Sequence, residues 1–186
     1  RQMCIRDREI LLSRSGYSVS IFTEFSNVPE HYWLTAAASE DYFLSREYLQ
    51  LLSEYKPDGM DFVYLLFCQN GVAVGIAYGQ VVSFRADEHI RTVALSESWW
   101  KKSLARQLHF RLLVAGNLLL TGQHGYCFAP TVSEELAAEV VQEALQCVVK
   151  QARNKGSNIA GVLVKDLPAD DSTSRLLQEN GPFQSL

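Results

Sequence analysis

Polar and apolar positions divide the chain into readable elements. Tyr17-Ser-Val-Ser-Ile-Phe-Thr-Glu24 alternates, which predicts a half-buried strand. Asp61–Cys68 and Val72–Phe84 are apolar runs that predict two more strands. Asn70-Gly71 lies between them, and both residues suit the positive φ of a tight hairpin. Gly75 and Gly79, inside the second run, predict a bulge or a close backbone approach. Between the first strand and this hairpin, Asn27–Asp41 is read as a loop, and Ser45 as the cap of a helix stopped by Pro57-Asp-Gly59. The run Leu108–Leu120, a glycine-bearing turn and Tyr126-Cys-Phe128 continue the strand pattern.

The clearest helix follows. Leu136, Ala137, Val140, Val141, Ala144, Leu145, Val148, Val149 and Ala152 share one stripe at helical spacing. Glu134, Glu135, Glu139 and Glu143 crowd its first half, and Lys150, Arg153 and Lys155 its end, an order that complements the helix dipole. Thr131-Val-Ser-Glu134 fits a capping box, and Ser133 is a rival cap. Gly156 suits the stop, and Ile159–Val164 returns as a buried strand. Strand, crossover helix and strand predict a parallel βαβ unit within an α/β (α+β) fold. Its sheet is expected to be mixed and mostly antiparallel. A polar excursion over residues 85–94, a helix over 96–106 and a short helix over 172–179 complete the reading.

Composition narrows the classes. The 186 residues are 47% hydrophobic with a net charge of −4, enough for a core in one domain spanning residues 1–186. No long basic block is present, so nucleic acid is not the expected partner. Trp99-Trp-Lys-Lys102 with Arg106 reads as a core-facing Trp pair with solvated lysines, or as a membrane-surface helix. No segment has the ~20 apolar residues of a membrane span. Cys4, Cys68, Cys127 and Cys147 form no C-x-x-C pair. The last three lie in apolar settings and are expected to be reduced, buried thiols with no metal role. That usage, with no signal peptide at the start, points to the cytoplasm. The chain begins with Arg1 rather than Met, as a fragment, or a chain lacking its first residues, would.

The candidate chemistry gathers near residue 124. His124 lies between Gly122 and Gly125, where a ligand could approach the backbone, and an imidazole can take a proton from an attacking amine near neutrality. An exposed turn histidine without a role is the plainer alternative. Gln123 shares this turn, and Ser133 opens the long helix, whose first N–H groups are unpaired. Lys165 and Asp166 follow the carboxyl end of the last strand, where ligands bind in parallel sheets; an ordinary charged pair leaving the core is the alternative. Alternation puts Arg111 and Asn117 on one face with His109, Leu113 and Ala115. That face is either a cleft wall or the solvent side. The Thr121–Tyr126 turn, the start of the long helix and the Lys165-Asp166 strand end are expected to bound a cleft, and Glu134 and Glu135 argue against a strongly anionic ligand there unless basic residues such as Arg111 compensate.

The element order resembles the GNAT-type acyl-CoA N-acyltransferase superfamily, and within it the peptidoglycan-bridge (Fem-like) and related uncharacterised branch. Phe43–Leu49 leading into Asn70-Gly71, Ala115–Tyr126, and Val162–Asp166 followed by Leu176–Gly181 and Phe183 carry the resemblance, over most of residues 17–183. It implies transfer of an acyl or aminoacyl group from a thioester or carrier to an amine. Acyl-CoA would be the cosubstrate, with no covalent cofactor. Gly122, Gln123, Gly125, Ser133 and Arg111 would hold the donor, Asn117, Lys165 and Asp166 the acceptor, and His124 would be the base. The departures are specific. Family members use a Q/R-x-x-G-x-G/A loop for the CoA pyrophosphate; the matching Pro130–Leu136 has no glycine. Leu177 stands where many members carry a tyrosine acid, Pro182 interrupts Gly-Phe, and the family's final strands are missing. The alternative is therefore a non-catalytic GNAT-like domain that binds a ligand or partner.

Overall fold

The computed structural model describes residues 9–36, 42–85, 109–118 and 125–164. Its strands are β1 (Glu9–Leu11), β2 (Tyr17–Phe22), β3 (Met60–Gln69), β4 (Val72–Arg85), β5 (His109–Ala115), β6 (Tyr126–Phe128) and β7 (Ile159–Val164). Its helices are α1 (Glu30–Ala36), α2 (Arg46–Glu54) and α3 (Glu134–Asn154). The strands form one mixed sheet in the order β1-β2-β3-β4-β5-β7, with β6 also paired to β4. Neighbours run antiparallel except β5 and β7, which are parallel and joined through α3. The expected mixed, mostly antiparallel sheet with a βαβ crossover is the observed fold.

Both faces of this sheet are covered, which explains why β3 reads as a continuous apolar run rather than an alternation. On one face α3 buries Ala137, Val140, Val141, Ala144, Leu145 and Val148 against Val19, Leu65, Phe67, Val81 and Leu113. On the other, Phe25, Trp33, Leu44 and Leu49 pack on Phe62, Tyr64, Leu66, Ile76 and Tyr78. Asn70 (φ 50°) and Gly71 (φ 81°) make the predicted hairpin turn. Ser133, not Thr131, caps α3: its Oγ accepts from the Leu136 N–H at 3.3 Å. The helix ends in a Schellman motif, where Gly156 (φ 78°) donates to Arg153 O and Ser157 to Ala152 O. Ser45 caps α2 in the same manner as Ser133 caps α3.

The structure corrects further expectations. The segment read as a loop after Asn27 contains α1, held by the buried Trp33, whose Nε1 donates to Leu44 O at 3.0 Å. Seven residues are too few for a helix to stand on propensity, so tertiary packing maintains it. Cys68, Cys127 and Cys147 are free thiols but only partly buried. Burial raises the Cys68 and Cys147 thiol pKa values, with Glu9 and Glu143 adding to the effect. Those concerning Asn117, Arg111 and Gly125 are taken up below. The readings at residues 86–108 and 172–179 lie outside the described residues, and Arg85 ends β4. Among the described residues no helix is long and apolar enough to cross a membrane.

Candidate functional site

The parallel pair stops at Ala115 and Val164, which are register partners. Just past this point Gly116 turns the chain with φ 102°. The chain rejoins the sheet at Gly125, and β6 continues along β4 where β5 left it. Both ends of the interruption hang on one residue: Gly116 N donates to Tyr78 O at 3.1 Å, and Tyr78 N donates to Gly125 O at 2.8 Å. Residues 116 and 125 touch. A Cβ on Gly125 would stand 2.3 Å from Gly116 N and 2.4 Å from Gly116 Cα. Gly125 is thus required by the chain's own backbone, where the sequence had suggested room for a ligand. After β6, Ala129 N donates to Val74 O and Val132 N to Ala129 O, and this turn delivers Ser133 to the start of α3.

Asn117 belongs to a buried polar network beneath this neck. Its Nδ2 donates to Tyr48 Oη at 2.8 Å, and its Oδ1 accepts from Gln80 Nε2 at 3.2 Å. Gln80 Oε1 accepts from the Leu118 N–H at 2.8 Å. Gln80 and Asn117 are 0% and 3% exposed, so their polar groups must be satisfied within the protein, and these bonds contribute to that. Burial raises the Tyr48 pKa, opposed by the hydrogen bond from Asn117 and reinforced by Tyr42. The left-handed Gly116 breaks the strand alternation, so Asn117 joins Tyr48 of α2 on the face opposite Leu113 and α3. Gln80 and Tyr48 were missed as members of this site. Gln80 did leave a signal, a lone amide within the apolar Val72–Phe84 run.

Arg111 keeps to the face of Leu113 but is far from Ser133. Its Nη1 donates to Ser157 Oγ, just after the end of α3, and its Nη2 lies 2.5 Å from Asp61 Oδ2. A helix of 21 residues is about 30 Å long, so Arg111 and Ser133 lie near opposite ends of α3 and cannot grip one small ligand head together. Arg111 therefore offers no compensation for Glu134 and Glu135, which occupy the first turn of α3. Its face is neither open solvent nor part of the expected cleft; it floors a separate cavity. Of the remaining expected residues, Gly125 lies just before β6 and Ser133 on the β6–α3 connection. Gly122, Gln123, His124, Lys165 and Asp166 lie outside the described residues. Among the described residues no cluster of His, Cys, Asp or Glu is arranged to hold a metal ion.

No family model matches the chain, and no curated protein matches it. Among solved structures it is similar to the aminoglycoside N-acetyltransferase AAC(6')-Iy in complex with CoA, at 13% identity over 94% of this chain and 93% of that one (TM-score 0.46). It is also similar to a ribosomal-protein-alanine N-acetyltransferase from Brucella melitensis biovar Abortus 2308, at 9% identity over 91% and 94% (TM-score 0.47). A transcriptional regulator from Bacillus halodurans C-125 aligns at 10% identity over 90% and 97% (TM-score 0.43).

Proposed function

We propose that the protein is an N-acyltransferase that moves an acyl or aminoacyl group from a thioester or carrier to an amine. The supporting observation is the placement of the parallel pair. Its carboxyl ends, the Gly116–Gly125 neck and the connection into the Ser133 end of α3 follow one another at one end of the sheet. The crevice beyond the carboxyl ends of parallel strands is where ligands collect in such sheets, and a helix start adds unpaired N–H donors. In this reading the donor thioester lies between the neck and the Ser133 turn. The acceptor amine attacks its carbonyl carbon, a C–N bond forms and the C–S bond breaks. His124, adjacent in sequence to Gly125, takes the amine proton, and the departing thiolate takes a proton from solvent. Lys165 and Asp166, which follow Val164 directly, contact the acceptor.

One observation favours a second reading. Glu134 and Glu135 occupy the first turn of α3, and Pro130–Leu136 holds no glycine that would let a pyrophosphate reach the backbone. A donor other than CoA, or a binding domain without turnover, accommodates both facts. Calorimetric titration with acetyl-CoA and CoA, followed by a thiol-release assay over a panel of amines, separates the readings. The enzyme reading expects donor binding and turnover that His124→Ala lowers by about 10²- to 10⁴-fold, the usual worth of a general base. Turnover unchanged in His124→Ala would remove His124 from the mechanism. A protein that binds neither acetyl-CoA nor an aminoacyl thioester would favour the binding domain.

A further inference from the structure

Near the far end of α3, β2 stops at Phe22 opposite Tyr64, and among the described residues no strand pairs with residues 60–63 of β3 on that side. A cavity of about 310 Å³ opens there, lined by the end of β2, this bare stretch of β3, Val81, Arg111, Ile159 and the last turns of α3. It is at the lower end of the range for small-molecule pockets. Its inner wall is aliphatic, from Ile21, Val63, Val81, Val148 and Ile159. Its polar side carries three cations, Lys56, Arg111 and Lys155, against two carboxylates, Glu24 and Asp61. Asp61 serves two of the cations at once: Oδ2 meets Arg111, and Oδ1 lies 3.3 Å from Lys56 Nζ. Lys155 has no ion pair among the described residues. The cavity therefore holds a surplus of positive charge beside an apolar wall.

A second observation points to a missing partner. Among the described residues, the buried side-chain polar atoms lacking a hydrogen bond are Arg111 Nε and Tyr64 Oη. Arg111 lines the cavity. Tyr64 lies beside Ser53 and Glu24, which line it too, and the Ser53 hydroxyl does not reach Tyr64 Oη in hydrogen-bond geometry. Buried polar groups are satisfied in the great majority of cases, and an orphan commonly marks a water or ligand position. Asp61 and Ser157 hold the two Nη atoms, which fixes the plane of the guanidinium. The part of the guanidinium that remains exposed then faces the cavity as a fixed positive charge.

We propose that this cavity is a second ligand site, separate from the donor site, for a small carboxylate with an apolar body. The carboxylate sits between Arg111 and Lys155, and the body lies along Val63, Val81 and Val148. Octanoate is a suitable probe, with octylamine and 1-octanol as controls of the same chain length. The site predicts one-to-one octanoate binding by calorimetry, with both controls weaker by about tenfold or more, the scale of one charge-assisted contact. Lys155→Gln, a change at an exposed residue, and Arg111→Gln should each weaken octanoate about 5- to 10-fold. Ser133→Ala should leave octanoate binding unchanged, and saturating acetyl-CoA should not displace octanoate. That arm keeps this site distinct from the donor site, so either can fail alone. Octanoate binding no tighter than octanol or octylamine, or binding indifferent to Lys155→Gln and to a folded Arg111→Gln, would overturn the proposal, as would displacement by acetyl-CoA.

Discussion

Gly125→Ala is the sharpest probe of how the sheet is interrupted. The new methyl would lie 2.3 Å from Gly116 N, 2.4 Å from Gly116 Cα and 3.0 Å from Ala115 C. All three are backbone atoms, so no side chain can swing away. Relief requires residues 116 and 125 to separate, yet both are hydrogen-bonded to Tyr78, at 3.1 and 2.8 Å. Overpacking costs about 1–3 kcal/mol, and a weakened backbone hydrogen bond about 0.5–1.5 kcal/mol. The loss of unfolded-state freedom returns only about 0.4–1 kcal/mol. A net loss of roughly 2–3 kcal/mol follows. In a domain of this size that lowers Tm by roughly 4–12 °C. Gly156→Ala is the contrasting case: nothing lies within 4 Å of its Cβ, and only its φ of 78° resists a side chain. That should cost about 1–2 kcal/mol. Thermal and urea denaturation of both variants measures these losses. Hydrogen exchange at the Tyr78 amide reads the neck itself and should quicken in Gly125→Ala alone. A Gly125→Ala protein as stable as wild type, with Tyr78 exchange unchanged, would refute the contact between residues 116 and 125.

Three further outcomes are expected. Gln80→Leu strands the Leu118 N–H and removes one partner of Asn117, and should cost about 1–3 kcal/mol, the scale of an orphaned buried group; a urea midpoint equal to wild type would contradict the network. Tyr64→Phe removes a buried hydroxyl without a partner and should leave stability at neutral pH unchanged or about 1 kcal/mol higher. Burial pushes the Tyr64 pKa up to about 12. The unfolded phenol ionises near 10, so this contribution is intact below that pH and is lost as pH rises through the folded value. Tyr64→Phe should therefore flatten the alkaline loss of stability, and a decline as steep as in wild type would exclude the assignment. Cys68 and Cys147 should react slowly with a thiol reagent at neutral pH and rapidly in denaturant, because burial raises both pKa values; labelling at the rate of a free thiol would contradict their placement.

Elements whose signals are local were readable from sequence. The α3 stripe, its Gly156 stop, the β7 return and the Asn70-Gly71 hairpin each depend on residues close in the chain. What depends on distant contacts was not readable. α1 exists because Trp33 finds a buried place and the Leu44 carbonyl, and no periodicity over seven residues reveals that. Asn117 changed faces because one left-handed glycine lies between it and the strand; alternation holds only while the backbone stays extended. Arg111 was assigned correctly to the face of Leu113, but the length of α3, not the register of β5, decides which end of the molecule it serves. Gly125 looked like room for a ligand, and the room is taken by Gly116. The meeting of the parallel pair's carboxyl ends with the start of α3 was thus legible, and the partners of Asn117, Arg111 and Gly125 were not.

The central claim is that an acyl donor binds at the carboxyl ends of β5 and β7. Amide chemical-shift mapping during titration with acetyl-CoA tests it directly. The account predicts the largest changes at Gly116, Gly125, Ser133, Glu134, Glu135 and Val164, with Asp61, Arg111 and Ser157 undisturbed. Changes confined to Asp61, Arg111, Lys155 and Ser157, or no change at saturating acetyl-CoA, would contradict it.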